Sequence, residues 1–268
     1  MTIQPVIPIL LAVSNISRIT IGVHKMRILL LCLIFVSQYS SADFDWSDYS
    51  TLLKQNVVKE ERSGILTNLV DYDSIGEDPK FSGLLERLAA FNPSDLEGQE
   101  KMAFYINTYN LFAIKLITDH KPKHSIRDIG SWFSPVWQKP AAMLNTKTVS
   151  LDTIEHKILR KMGEPRIHFA IVCASLSCPD LRTEAYSANN LNTQLDEQTR
   201  SFLSNTDKGI HIKGEEIYIS KIFDWFDKDF AVDQEPASIL KYIAQYNMEA
   251  GRFTDYSTLD YNWELNKQ

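Results

Sequence analysis

The sequence PRIHFAIVCASLSCPDLRTEAY, residues 165–186, begins as an apolar run and then changes into small and polar residues. An apolar run of this length between turn-forming residues predicts a buried strand over 167–172. The loop that follows contains Cys173, Ser175 and Cys178. Ligands and reactive groups are commonly placed on such loops. We therefore expect the chemistry of this protein to be located in residues 173–178.

The same segment, together with FYINTYNLFAIKLI and LDTIEHKILR upstream of it, resembles the DUF547 family, a domain of unknown function. The similarity continues through YISKIFDWFDKDF to the closing LDYNWELN, so it covers nearly all of the chain that follows the leader. Several motifs in the same order make the resemblance specific. It implies a fold and a site region, but it implies no reaction.

The first 42 residues predict a secretory leader. Met26 and Arg27 precede a short apolar core at 28–36, and Ser40 and Ala42 supply a small-x-small cleavage pattern. The apolar core is too short to span a membrane. We therefore expect translation to start at Met26, cleavage after Ala42 and one domain over 43–268. The mature protein is expected in the periplasm or the medium, without a stable membrane anchor.

Composition limits the classes of partner. Residues 1–42 carry three of the 28 lysines and arginines and none of the 34 acidic residues, so the remainder has a formal charge of −9. An acidic protein without a basic cluster is a poor nucleic-acid binder. The ten glycines do not form a phosphate-binding loop. We expect no nucleic acid and no cofactor, and instead a small molecule or peptide as substrate or ligand.

The hydrophobic pattern predicts a mainly helical α+β domain. Helices are expected over 101–118, 151–162, 190–203, 222–230 and 236–248. A β-hairpin is expected at 210–219. The hairpin and the 167–172 strand together would form a small sheet against which the helices pack.

Two asparagines belong to the most apolar of these helices, 101–118. Asn107 and Asn110 share one face of it. A buried amide must find hydrogen-bond partners. Either these two side chains tie neighbouring loops to the core, or one of them orients a catalytic group.

The predicted helix over 151–162 places Glu155 within its apolar stripe and His156 beside it. A carboxylate on a buried face is unfavourable unless it is paired or reaches solvent. Two alternatives follow. Glu155 forms a structural ion pair, with Arg166 as the expected partner, or it acts as an acid or base beside the Cys173 loop.

A cysteine nucleophile is one interpretation of the 173–178 loop. Cys173 would attack an acyl carbon, His156 would be the base, and Glu155 or Asn107 would orient that base. Strand alternation over 167–172 would place His168 on the face opposite Cys173, which makes His168 the weaker partner.

The substrate of such an enzyme would be held around the same loop. Arg166 and Arg182 could bind a carboxylate in bidentate fashion. His168, Ser175 and Asn110 complete the expected substrate-binding set. Backbone N–H groups of residues 174–177 could form an oxyanion site.

A disulfide between Cys173 and Cys178 is the second interpretation, and it suits an oxidising compartment. A metal site that includes His168 and both cysteines is the third. We predict no metal, because the spacing matches none of the tight cysteine patterns of structural zinc.

The leading functional hypothesis is a thiol-dependent amide hydrolase or acyl transferase of the bacterial envelope. The alternative is a non-catalytic binding or structural protein in which Cys173 and Cys178 are joined by a disulfide.

Overall fold

The most apolar stretch of the sequence forms a long helix, Gly98–His120, in the computed structural model, which describes residues 43–268. Every side chain from Met102 to Ile114 is buried. A helix that is buried on all sides lies at the centre of a core. The helix predicted over 101–118 is thus confirmed, with a few more residues at each end.

The described residues form a mainly helical α+β fold. Their α-helices are α1 Ser47–Asn56, α2 Tyr72–Glu77, α3 Pro79–Ala90, α4 Gly98–His120, α5 Leu151–Lys157, α6 Leu191–Leu203, α7 Ile222–Trp225, α8 Asp227–Phe230 and α9 Pro236–Ile243. Short 3-10 helices are Pro93–Asp95, Ile126–Ile129, Val136–Gln138, Leu159–Met162, Pro165–Phe169, Ala188–Asn190 and Met248–Arg252. The strands are β1 Val57–Arg62, β2 Ile65–Val70, β3 Ala142–Leu144, β4 Lys147–Val149, β5 Ile210–Lys213, β6 Glu216–Ile219 and β7 Ser257–Thr258.

The strands form three small sheets. β1 pairs with β2 and β3 pairs with β4, both antiparallel. In the third sheet β5 and β6 form the predicted hairpin, with Ile210 opposite Ile219, and β7 adds in parallel to β6. The hairpin is confirmed.

The strand predicted over 167–172 is wrong, and so is the sheet that it was expected to share with the hairpin. The chain forms the 3-10 helix Pro165–Phe169 there and continues as irregular backbone. All six residues of the run are buried. An apolar run that is buried on every side has no period that separates a strand from a helical turn. Pro165 and the cap that Glu164 provides to the Arg166 N–H at 3.1 Å both favour the helical turn.

Three predicted helices are interrupted or shorter in the structure. The helix predicted over 151–162 ends at Lys157, because Ile158 leaves helical geometry and a 3-10 turn follows. The helix predicted over 222–230 is divided at Phe226 into α7 and α8. The last helix ends at Ile243 rather than Met248.

The segment 165–186 lies where two groups of core residues meet. Ile167 and Ala170 pack in the larger group with α4. Phe169 packs in the smaller one with the β5–β6 hairpin and α7–α9. Residues Phe44–Gln268 form one compact unit. The segment therefore connects the two parts of a single core.

None of the helices within residues 43–268 is both long enough and apolar enough to cross a membrane. The predicted start at Met26 and the cleavage site after Ala42 lie outside the described residues.

Candidate functional site

An open cleft of about 350 Å³ lies beside the 173–178 loop. Its lining residues come from α4, α5, α7, the 3-10 helices, the cysteine loop (residues 173–178) and the C-terminal tail (residues 259–268). They are Tyr109, Pro135, Trp137, Gln138, Asp152, Glu155, His156, His168, Ile171, Cys173, Cys178, Pro179, Ile222, Trp225, Phe226, Tyr261 and Trp263. The structure thus brings together Cys173, His156, Glu155 and His168, which the sequence had singled out.

Both asparagines of α4 bind backbone of the segment 165–186. The Asn110 amide donates to Ala170 O at 2.9 Å, and its oxygen accepts from Val172 N at 2.9 Å. Asn107 makes the corresponding pair of bonds with Tyr186, at 2.9 and 2.8 Å. Of the two roles open to these residues, the structure contains the tie between loop and core. Neither amide lines the cleft.

The C-terminal tail covers the cysteine loop. Leu176 N donates to Glu264 O at 2.9 Å, and Ser177 N donates to Asn262 O at 3.2 Å. Two of the N–H groups expected to form an oxyanion site are therefore already engaged by the protein itself.

Cys173 and Cys178 are joined by a disulfide, with their Cα atoms 6.0 Å apart. Ala174 has φ of 56°, in the left-handed region that is uncommon outside glycine, where the chain begins to turn back. Cys173 is partly exposed in the cleft and Cys178 is buried. In this state Cys173 has no thiol with which to attack a substrate.

Two hydroxyl groups surround the Cys173 sulfur. The Ser175 and Tyr261 oxygens each lie 3.2 Å from Sγ, and Ser175 donates to Tyr261 at 3.3 Å. Burial raises the pKa of Tyr261, so its phenol keeps its proton at neutral pH. The sequence analysis placed Ser175 in the substrate-binding set but did not identify Tyr261.

Glu155 is a buried carboxyl in the cleft wall, 9% exposed. Tyr109 donates a hydrogen bond to its Oε2 at 3.3 Å. Burial raises the pKa of Glu155 to about 7, although the Tyr109 bond and the charge of Arg160 both act to lower it. The expected ion pair with Arg166 is not formed. Glu155 is therefore half ionised near neutral pH.

His156 lies next to Glu155, partly exposed. Its Nδ1 faces the Arg160 guanidinium at 2.9 Å, which requires the ring nitrogen to accept. Partial burial lowers the pKa of His156, and the positive charge of Arg160 acts in the same direction. Within residues 43–268 no hydrogen bond joins His156 to Cys173. The triad proposed from sequence shares a cleft but is not assembled.

His168 is held by a different carboxylate, which sequence did not identify. Its Nε2 lies 2.7 Å from Asp229, and its ring stacks on Phe226 with centroids 4.0 Å apart. Burial lowers the pKa of His168, so the neutral ring donates to Asp229. Burial alone would raise the pKa of Asp229, but the bonds from His168 and Arg160 outweigh it and bring that pKa well below its usual range.

Arg166 and Arg182 lie outside the cleft lining. Arg166 pairs with Glu164 at 2.6 Å and with Asp196 at 2.8 Å. Arg182 pairs with Glu184 at 2.7 Å and also reaches Glu197. Their guanidinium groups bind the protein's own carboxylates, so the structure does not bring them to a ligand in the cleft.

Aromatic side chains form the walls that sequence reasoning missed. Trp225 stacks on Trp263 with centroids 5.7 Å apart, and Tyr261 lies 4.6 Å from Trp263. The signal was present in the aromatic sequences of residues 222–230 and 259–266. Nothing in that pattern showed that they meet the cysteine loop.

The described part of the chain contains no group of three or more His, Cys, Asp or Glu side chains arranged to hold a metal ion.

Residues 93–203 match a family model described as "Protein of unknown function, DUF547". The matched range includes α4, α5, the cysteine loop and α6, and it ends before the C-terminal tail. No curated protein matches the chain. No solved structure matches it either.

Proposed function

We propose that this chain, whose residues 93–203 match the DUF547 family model, is an exported ligand-binding protein. Its cleft takes up a small molecule or a peptide side chain without converting it. The observation that carries this proposal is the disulfide between Cys173 and Cys178, which lines an open aromatic cleft. The residue that would serve as nucleophile is covalently occupied, while the cleft itself remains accessible.

Ligand sites are commonly concave, mostly apolar and equipped with a few polar groups. This cleft fits that description, because Trp137, Trp225 and Trp263 share one lining with Glu155 and His156. Export is supported by the leader pattern of residues 26–42 and by the disulfide, since disulfides persist in oxidising compartments.

The cleft tryptophans supply the test. Three probes share a head group of three methyl groups on one central atom and differ in charge. They are the cation choline, the neutral 3,3-dimethyl-1-butanol and the anion 3,3-dimethylbutanoate. Saturable quenching of tryptophan fluorescence by at least one of them is expected for a ligand-binding cleft. Absence of saturable quenching with all three, at millimolar concentration, would contradict the proposal.

A matched pair of variants locates the binding. Trp225→Ala removes an aromatic wall of the cleft and is expected to weaken binding about 10-fold or more. Trp132→Ala removes a side chain that is 92% exposed and lies outside the cleft lining, so it should leave binding unchanged. Equal effects of the two variants would show that the probes bind elsewhere.

A thiol-dependent amide hydrolase or acyl transferase is the second candidate, and the hydroxyl groups near Cys173 favour it. Opening of the disulfide would place a thiolate within reach of the Ser175 and Tyr261 hydroxyls, which stabilise negative charge. Reduced protein would then form an acyl adduct on Cys173 with p-nitrophenyl acetate, at a rate that falls in His156→Ala. Acylation that is independent of His156 would reject this candidate.

A further inference from the structure

The charged groups in the cleft lining are unbalanced. Asp152 and Glu155 belong to the lining, and no lysine or arginine from the described part of the chain does. The two histidines of the lining, His156 and His168, both have pKa values lowered first by burial, so neither supplies lasting positive charge at neutral pH. The cleft wall therefore favours positive charge in whatever occupies it.

Arg160 lies beside this wall, with Nη1 2.9 Å from His156 Nδ1, and its charge is already offset. Asp229 accepts two of its hydrogen bonds, at 2.6 and 2.9 Å. The carboxyl groups of Asp229 and Glu155 both act on this guanidinium, and Asp152 and Asp229 also act on Glu155 at this end of the cleft. A cationic ligand meets net negative charge there even with Arg160 in place.

The apolar part of the lining is aromatic, which suits the same kind of ligand. A cation is attracted to the face of an aromatic ring, and more strongly when it is desolvated. Two of the walls already carry a guanidinium within the protein. Arg160 lies 5.1 Å from the centroid of Phe226, and Arg127 lies 5.0 Å from that of Trp263. The protein itself therefore already places positive charge against two of these rings.

Among the described residues, Glu155 forms no ion pair of its own. Its only hydrogen bond within residues 43–268 is the one from Tyr109 at 3.3 Å, and the charged groups that act on it there are Arg160, Asp152 and Asp229. A carboxyl that is only 9% exposed is stabilised in its ionised form when a positive charge comes close. An ammonium group in the cleft would supply that charge.

From the acidic lining and the aromatic walls we infer that the ligand of this cleft is an organic cation, either a free small molecule with an amine or quaternary ammonium group or a peptide that presents one. The inference rests on the proposed function and adds the class of ligand to it. Binding places the cation against the aromatic faces and beside Asp152 and Glu155. Ionisation of Glu155 accompanies binding, because the ligand's charge favours the carboxylate.

The three fluorescence probes described above test this inference directly. Choline is expected to bind at least about 10-fold more tightly than 3,3-dimethyl-1-butanol, which has the same shape without the charge. The anion 3,3-dimethylbutanoate should bind most weakly. Equal binding of choline and the neutral alcohol would overturn the inference and leave the ligand-binding proposal standing, whereas failure of all three probes would overturn both.

The pH dependence of choline affinity gives a second readout, since choline keeps its charge at every pH. Affinity is expected to increase several-fold between pH 6 and pH 8, as the carboxyl of Glu155 loses its proton. Glu155→Gln should abolish this increase, and Glu86→Gln, on the exposed face of α3, should retain it. A pH dependence that survives in Glu155→Gln would contradict the assigned role of this side chain.

Discussion

At the scale of single residues, Glu155 has the most unusual environment among the acidic groups of the cleft. It is buried, and within residues 43–268 it has one long hydrogen bond and no ion pair. A folded protein loses stability when a buried carboxyl without a partner ionises. Selection for stability alone would favour an apolar residue or a paired one at this place, and the open cleft beside it gives the carboxyl a use.

Glu155 should make the protein less stable as pH rises. Its folded pKa of about 7 lies above the unfolded value of 4.5, so the folded state binds the proton more tightly. The resulting stabilisation is present below pH 4.5 and is lost as pH rises to about 7. It amounts to on the order of 3 kcal/mol. Glu155→Gln should remove this loss, as measured by urea unfolding at pH 4.5 and pH 8.

Glu86→Gln is the control for that measurement, because Glu86 is exposed on α3. Its stability should follow that of the parent protein at both pH values. Parallel curves for the parent and Glu155→Gln would mean that Glu155 is ionised in the folded state well below neutral pH.

At the scale of elements, the relation between α4 and the segment 165–186 determines where the cleft lies. The side-chain amide of Asn110 hydrogen-bonds the backbone of Ala170 and Val172, where a helix or sheet would supply a backbone partner. Asn107 does the same for the backbone of Tyr186. Irregular backbone cannot satisfy its own hydrogen bonds as a helix does. The two amides therefore fix an irregular segment that carries the cysteine loop.

Asn110→Ala should destabilise the protein by about 2–4 kcal/mol, because it leaves the N–H of Val172 and the carbonyl of Ala170 buried without partners. Urea unfolding at pH 7 measures the effect. The exposed residue Asn189 offers the matched substitution Asn189→Ala, which should change stability by less than about 0.5 kcal/mol. Similar losses of unfolding free energy in the two variants would refute the role of Asn110 in fixing the backbone of Ala170 and Val172.

The sequence predicted correctly the elements in which buried and exposed residues alternate with a regular period, or in which the length of the apolar stretch identifies a helix. The long apolar helix α4 and the β5–β6 hairpin were predicted correctly for this reason. The run 167–172 was not, because all of its side chains are buried and uniform burial leaves no pattern to distinguish a strand from a 3-10 turn. The early end of α5 at Lys157 depends on Ile158 backbone geometry, which has no local sequence signal.

At the scale of the whole molecule, the C-terminal tail completes the cleft. Its backbone pairs with the cysteine loop through Leu176 and Ser177 and with β2 through Val70. It also contributes Tyr261 and Trp263 to the lining. Residues separated by more than 80 positions in sequence are thereby joined in one site, with Tyr261 in contact with Cys173.

Removal of residues 261–268 should abolish saturable binding of choline, because two aromatic walls and the cover of the cysteine loop are lost together. Tryptophan fluorescence and calorimetry measure binding, and circular dichroism checks that the helices remain. Trp263→Ala in the full chain should also weaken choline binding, but less than the truncation does. Retained binding in both variants would show that the tail is not part of the site.

The composition of the site was only partly predictable for the same reason of scale. Glu155, His156 and Cys173 lie within 19 residues of one another, and their meeting followed from local patterns. Tyr109, Asp229 and the tail aromatics reach the cleft through tertiary packing alone. No pattern along a single sequence reports contacts of that kind, so the partners of Glu155 and His168 were assigned wrongly or missed.

Thiol alkylation of the purified protein, with the label located by mass spectrometry, tests the Cys173–Cys178 disulfide on which the ligand-binding proposal rests. Iodoacetamide is applied across pH with and without prior reduction. The disulfide predicts no label on Cys173 or Cys178 until a reductant is added, and then label on Cys173, the partly exposed cysteine of the pair. Rapid labelling of Cys173 in unreduced protein, with an apparent pKa well below the free-cysteine value of about 8.5, would contradict it and would favour the thiol enzyme.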